Sequence, residues 1–264
     1  MRVLDLEEEL QGSHRRSVVM NRLTYPDIAR IFGTGLIATG VGLLLFVAVT
    51  VVWGDPFTRL SESGDQKQLQ RAFAAATPDD SGLVATADLD PALTRRAAAL
   101  ARKATPLGEV AGQIRIPKIG MKKFFVHGAR KPDLEKGPGL YRETLFPGSG
   151  RAVAIAGHRT TFGAPFLNVD DLKAGDPIVL TMPYGRFTYK VTHTEIITPN
   201  DWSILEYGAA EPTRAGRQRV KTTRQCNGTC EHLVLTACHP KYSAAKRIAI
   251  YARLSKVELA GGLA

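Results

Sequence analysis

Cysteine is scarce in this 264-residue sequence: Cys226, Cys230 and Cys238 are the only three, and they lack the paired CxxC knuckles that make a structural zinc signal specific. No internal repeat is present, which sets aside solenoids and other arrays. Despite a net charge of +10 there is neither a basic helix nor an aromatic-basic repeat, so nucleic acid is a poor partner. In the C-terminal half, little helical periodicity separates the apolar runs, which argues against βαβ units.

Long apolar stretches are also missing, with one exception. Residues 31–54, IFGTGLIATGVGLLLFVAVTVVWG, hold no charged residue and as a helix would rise about 36 Å, enough to cross a bilayer with some tilt. A cleaved signal peptide fits less well: the run starts about 30 residues in, exceeds the ~7–15 residues of a signal core, and has no clean small-x-small cleavage site after it. It reads as an uncleaved signal anchor. Arg15, Arg16, Arg22 and Arg30 precede it and Arg59 is the nearest basic residue after it, which puts the N-terminus in the cytoplasm and residues 55–264 outside the cell membrane. Residues 1–54 balance five basic against five acidic residues, so the net charge lies in the exported part. Anionic headgroups, cell-wall polymers and a merely solvated basic surface are all open as its explanation.

Beyond the span, GDQKQLQRAFAAATPDDSG and DPALTRRAAALARKATPLGE read as two Ala-rich helices with weak apolar stripes, a stalk over residues 55–110. From about Gly112, seven short apolar runs bounded by Gly, Pro, Asn and Asp predict an all-β barrel or sandwich. MPYGRF is a hairpin turn, a helical turn is expected near Phe166 to Leu172, and the stretch from Pro199 to Thr229 reads as a long polar loop. The domain plan is a cytoplasmic segment 1–30, the anchor 31–54, the stalk, a β-barrel domain over 111–258 and a tail 259–264.

In HLVLTACHPKYSAAKRIAIYARL, two apolar strands flank an eight-residue connection, short enough to favour an antiparallel pair. Cys238 ends the first strand and Arg247 opens the second, so they should face each other at roughly 5–8 Å between Cβ atoms. RAVAIAGHR ends in the same way, with His158 where the strand leaves its sheet. If that strand runs parallel to the Cys238 strand, His158 reaches the same rim. A thiol whose thiolate a nearby cation favours, an imidazole that exchanges protons and a guanidinium for a developing oxyanion together describe acyl transfer through a thioester.

Each assignment has rivals. An isolated cysteine in an apolar strand is more often inert core. His239 points to the other face of a continuing strand, and His232 lies about 20 Å back along it. His127 and His193 sit inside strand-like runs, and Arg253 lies toward the far end of the second strand.

Together these residues resemble a sortase, a membrane-anchored cysteine transpeptidase of Gram-positive bacteria. The resemblance runs through IRIPKIG, through GPGLYRETLFPGSGRAVAIAGHRTTFGAPFLNVDDLKAGDPIVL and through LVLTACHPKYSAAKRIAIYARL; AGHRTTFGAPF and CHPKYSAAKR are most like class E sortases of actinobacteria. It implies a closed eight-stranded β-barrel with short helices, carrying Cys238 as nucleophile, His158 as general acid and base, and Arg247 as oxyanion and substrate stabiliser. The implied reaction cleaves an LAXTG or LPXTG sorting signal between Thr and Gly and passes the acyl group to a peptidoglycan amine on lipid II, or to a pilin lysine. No cofactor or metal is expected. In one departure from the family's T-L-x-T-C run, Ala237 replaces the threonine beside the cysteine, which bears on fine substrate contacts there.

Cys226 and Cys230, flanking Asn227-Gly228 in an oxidising compartment, suit a short-loop disulfide that leaves Cys238 as the free thiol. A looser zinc reading would take Cys226, Cys230, His232, Cys238 and His239. The alternative of a different class is a membrane-tethered binding or assembly module whose thiol does no chemistry. An L,D-transpeptidase is set aside because its S-H-G-C motif is absent, and a papain-like enzyme because its cysteine precedes its histidine.

Overall fold

A computed structural model describes residues 25–53, 56–77, 83–85, 91–202, 211–213, 216–218 and 231–261. Cys226 and Cys230 lie outside these residues, and with them the disulfide and the zinc reading. The chain divides into two units, Met1–Val49 and Thr50–Ala264.

The described residues of the first unit belong to helix α1, Tyr25–Trp53. Its stretch Ile28–Val49 has the length and apolar character of a membrane span, rising about 33 Å, and side chains such as Phe32, Leu36 and Leu44 are exposed. An apolar surface of that extent does not suit water, and it is compatible with a single-pass anchor.

In the second unit the strands are β1 (Leu83–Ala85), β2 (Val110–Ile116), β3 (Met121–His127), β4 (Gly139–Leu140), β5 (Val153–Ala156), β6 (Pro177–Met182), β7 (Gly185–Ile197), β8 (Glu211–Thr213), β9 (Gly216–Gln218), β10 (His232–His239) and β11 (Lys246–Ala260). Eight of them form a ring in the order β11-β10-β5-β4-β3-β2-β6-β7, and β7 pairs again with β11 to close it. This is the closed eight-stranded barrel. Closure depends on β11, which is 15 residues long and pairs with both β10 and β7. Register shifts at Tyr251/Ala252 and Leu254/Lys256 bend it as closure requires. β1 adds to the last three residues of β11, and β8 pairs with β9 in a separate hairpin.

Strict alternation fills the barrel. Phe187, Tyr189 and Val191 of β7, Leu233, Leu235 and Ala237 of β10, and Ile248, Ile250 and Ala252 of β11 enter one buried cluster with Ile114, Phe125, Ile155 and Phe166. On the opposite face of the same strands, Ala154, Val234, Ala249 and Tyr251 form a smaller cluster against Tyr141. The seven runs read as strands are β2, β3, β5, β6, β7, β10 and β11, and the eighth barrel strand, β4, has only two residues. MPYGRF is the two-residue turn between Met182 and Gly185, and the helical turn expected near Phe166 is a single 3-10 turn at Val169–Asp171.

The helices read as a stalk are α2 (Pro56–Ala76) and α3 (Pro91–Ala104), followed by a short α4 (Lys131–Lys136). Both stalk helices are docked. α3 buries Thr94, Ala97 and Ala98, small enough for close approach to the barrel. α2 buries Leu69 and Phe73 and fastens itself through polar side chains. The Gln66 amide donates to the carbonyls of Phe124 and Lys136, both at 2.9 Å, and accepts from the Phe124 N–H at 2.8 Å. Glu62, 2% exposed, is paired with Lys123 Nζ at 2.7 Å.

Candidate active site

β5 and β10 run parallel, with Ala156 beside Thr236, and the Gly157 N–H continues the ladder by donating to the Thr236 carbonyl at 3.0 Å. Two residues beyond that pair stand His158 and Cys238. β10 and β11 run antiparallel, with Cys238 opposite Arg247. Side chains alternate along a strand, so Cys238 shares a face with Val234, and Arg247 with Ala249 and Tyr251, while His158 stands two residues past the end of β5. Thiol and guanidinium therefore lie side by side on one face at one rim of the barrel, outside its apolar interior, and the chain carrying His158 leaves β5 at that same rim, so the three residues make a row of strand ends. The Cys238 thiol is free and half-buried.

Gly157 makes the turn from β5 into the His158 loop possible: a Cβ there would lie 2.5 Å from the Phe166 ring. The His158 ring lies against Phe162, centroids 4.9 Å apart, and Nδ1 is 3.2 Å from the Thr161 hydroxyl. Nε2 is buried without a hydrogen-bond partner among the described residues. Burial lowers the His158 pKa below the usual imidazole value, with the Glu135 charge acting weakly against it. The neutral ring is thus favoured, with one nitrogen engaged by a hydroxyl and the other available.

Arg247 is turned onto its own connection, with Nη1 donating to the carbonyls of Ala244 and Lys246, both at 2.9 Å. These bonds spend two of five donors, and Nε and Nη2 carry the rest. Tyr141 lies beside the row. Its hydroxyl is 3.0 Å from that of Thr236, and burial raises its pKa while the Arg247 charge works in the opposite sense. Ala237 faces the other way, into the barrel core. A threonine at 237 would point its hydroxyl among apolar side chains, whereas Thr236 presents one on the face that Cys238 occupies.

A family model described as a sortase domain matches residues 114–255, more than half of the chain. The chain belongs to the sortase family. Sortases are cysteine transpeptidases. This sortase is 33% identical over 149 residues to Sortase D of Bacillus subtilis, covering 55% of this chain and 64% of that protein. It is 25% identical over 234 residues to Sortase SrtE1 of Streptomyces coelicolor, covering 86% of this chain and 57% of the relative. The chain thus spans under two thirds of the length of either relative, and a class E sortase stands among them as the motifs imply. Among solved structures, the SrtF sortase from Corynebacterium diphtheriae superposes with a TM-score of 0.50 at 27% identity, covering 60% of this chain and 90% of that one.

The rival residues of this sortase are engaged otherwise. His232 and Arg253 pair with each other at the far end of β10 and β11. His127 Nδ1 bonds the Thr105 carbonyl at 2.7 Å, and His193 stacks flat on Tyr251 with centroids 4.5 Å apart. His239 Nδ1 is held by Arg159 at 3.1 Å. Sequence reasoning missed Tyr141, Thr236 and Arg159. Tyr141 follows the two-residue β4, too short to show a period. Arg159 sits beside a singled-out histidine, yet only the folded chain reveals that its guanidinium is buried.

Proposed function

We propose that this sortase is a single-pass membrane enzyme with its barrel outside the cell, where it cleaves an LAXTG- or LPXTG-type signal between Thr and Gly. The observation that carries the reading is the row of His158, Cys238 and Arg247 at the neighbouring ends of three adjacent strands, with Cys238 directly opposite Arg247. Cys238 Sγ attacks the threonine carbonyl carbon while neutral His158 takes the thiol proton at Nε2. Arg247 exchanges its loop carbonyls for the substrate and stabilises the oxyanion. On collapse the C–N bond breaks, His158 returns the proton to the departing glycine amine, and a thioester remains. An incoming amine, from a peptidoglycan precursor on lipid II or from a pilin lysine, loses its proton to His158, attacks the thioester and restores the thiol.

Intact-mass spectrometry of the full chain in detergent, incubated with LAETG-like and LPETG-like peptides, tests this directly. The expected result is a peptide adduct at Cys238, released by hydroxylamine or a diglycine amine and absent from Cys238→Ala. An unmodified protein with both peptides, or an adduct that survives in Cys238→Ala, would refute it. The relative yields of the two peptides read the preference at the second signal position.

A further inference from the structure

Beside the row of reactive groups sits a charge that the proposed chemistry does not use. Arg159, directly after His158, is 2% exposed. A guanidinium taken so far from water carries a large desolvation cost unless its donors are met. Here Nη2 pairs with Asp170 Oδ2 at 2.7 Å, Nε donates to the Leu167 carbonyl at 3.5 Å, and Nη1 donates to the Cys238 carbonyl at 3.3 Å and to His239 Nδ1 at 3.1 Å.

The contact with the nucleophile's own carbonyl is the informative one. Carbonyls two residues apart on a strand point to the same side, so the Cys238 carbonyl, like that of Thr236, points toward β5. The Thr236 carbonyl receives the Gly157 N–H, the last rung of the β5–β10 ladder. In a continuing parallel ladder the next rung would come from the backbone N–H of residue 159. The chain has left the sheet by then, bending away so that His158 reaches the rim, and the side chain of that same residue supplies the missing donor.

We infer that Arg159 is a positioning residue: its guanidinium replaces the rung lost where β5 ends, and so fixes the backbone of Cys238 against the loop that carries His158. Asp170, in the 3-10 turn, orients the fork and ties in a third segment. Lys241, from the connection that follows Cys238, lies 3.8 Å from the same carboxylate. Because Nη1 donates to His239 Nδ1, His239 carries its proton on Nε2 and is held by Arg159. A lysine at 159 would keep the charge but lose the fixed fork that meets a carboxylate, a carbonyl and a ring nitrogen in three directions.

This inference rests on the thioester reading and is tested separately from it. Acylation by the sorting peptide is measured in the full chain and in Arg159→Lys, Arg159→Ala and Asp170→Asn, together with iodoacetamide alkylation of Cys238 against pH. Arg159→Lys should lose about 100-fold in kcat, the cost of a displacement near 1 Å, with KM within about two-fold, and its alkylation profile should shift. Asp170→Asn, which leaves the guanidinium in place, should lose about three- to ten-fold in the same direction. Low millimolar guanidinium should restore part of the kcat of Arg159→Ala, which a purely structural loss would not allow. Wild-type kcat and alkylation in both Arg159→Lys and Asp170→Asn would overturn the inference and leave the thioester mechanism standing. Failure of the unaltered protein to acylate would instead overturn the mechanism. If the Arg159 variants do not fold, Asp170→Asn decides alone: a lowered kcat at unchanged KM supports the role and an unchanged kcat ends it.

Discussion

The two neighbours of Cys238 are held in opposite ways. On the His158 side the loop is fastened from several directions. Arg159 binds it to the end of β10, Phe166 packs against Gly157, and the Phe162 N–H donates to Thr58 of α2 at 2.9 Å. Gly163, at φ +68°, lies so close to the buried Glu62 carboxylate that a Cβ would come within 2.5 Å of it. On the Arg247 side the connection from Pro240 to Ala245 is mostly exposed, with Tyr242 61% exposed, and the guanidinium is satisfied by its own loop carbonyls. In the proposed mechanism the base is thus preorganised, whereas the oxyanion stabiliser must exchange partners when substrate arrives. Such an asymmetry suits an enzyme that needs a fixed proton-transfer geometry but must admit a peptide chain.

Substitutions should separate the two sides by size of effect. His158→Ala should cost about 1,000-fold or more in acylation, because it removes the group proposed to take the thiol proton. Arg247→Ala should cost about 100- to 1,000-fold in kcat/KM, with the folded structure unchanged, since the lost bonds are to exposed loop carbonyls. Equal losses with an accompanying fall in Tm would erase the distinction between a fastened side and an open one.

Acid should act through the fastened side. The lowered His158 pKa keeps the imidazole neutral below pH 6.5, so the acid limb of acylation should lie lower than for a free imidazole, falling about tenfold per pH unit beneath it. The same sign applies to stability: the neutral ring's contribution is present above the unfolded value and is lost as pH falls through the lowered one. Glu135→Gln removes a charge that raises this pKa and should move the limb further down, as stopped acylation across a pH series would show. The smallest effect is expected from Thr58→Val, which removes one hydrogen bond worth about 1 kcal/mol. It should slow acylation a few-fold and leave the iodoacetamide rate of Cys238 nearly unchanged, because the bond it removes fastens the His158 loop.

Much of this was legible in the chain itself, and the gaps have physical causes. Seven strands announced themselves through alternation and flanking Gly and Pro, and the eight-residue gap after Cys238 was enough to set Arg247 opposite it. The parallel pairing of β5 with β10 was a condition rather than a deduction, because a non-local pairing leaves no trace in local spacing; the register supplies it. Its place beside the nucleophile in the sequence suggests that Ala237 touches substrate, but strand alternation turns it into the core. The weak apolar stripes of α2 and α3 suggest a stalk. α2 docks largely through Glu62 and Gln66, whose long-range partners no apolar moment reveals, and α3 through small residues. Arg159 was hidden for the same reason.

The most direct measurement is a structure of the full chain with a sorting-peptide analogue joined to Cys238 as a tetrahedral or thioester mimic. The account predicts that His158 and the Arg159 contacts stay in place, that His158 Nε2 comes within hydrogen-bond reach of the sulfur or the leaving-group position, and that Arg247 has left the carbonyls of Ala244 and Lys246 for the substrate oxygen. An adduct in which Arg247 still caps its own loop and the imidazole faces away from the sulfur would contradict it.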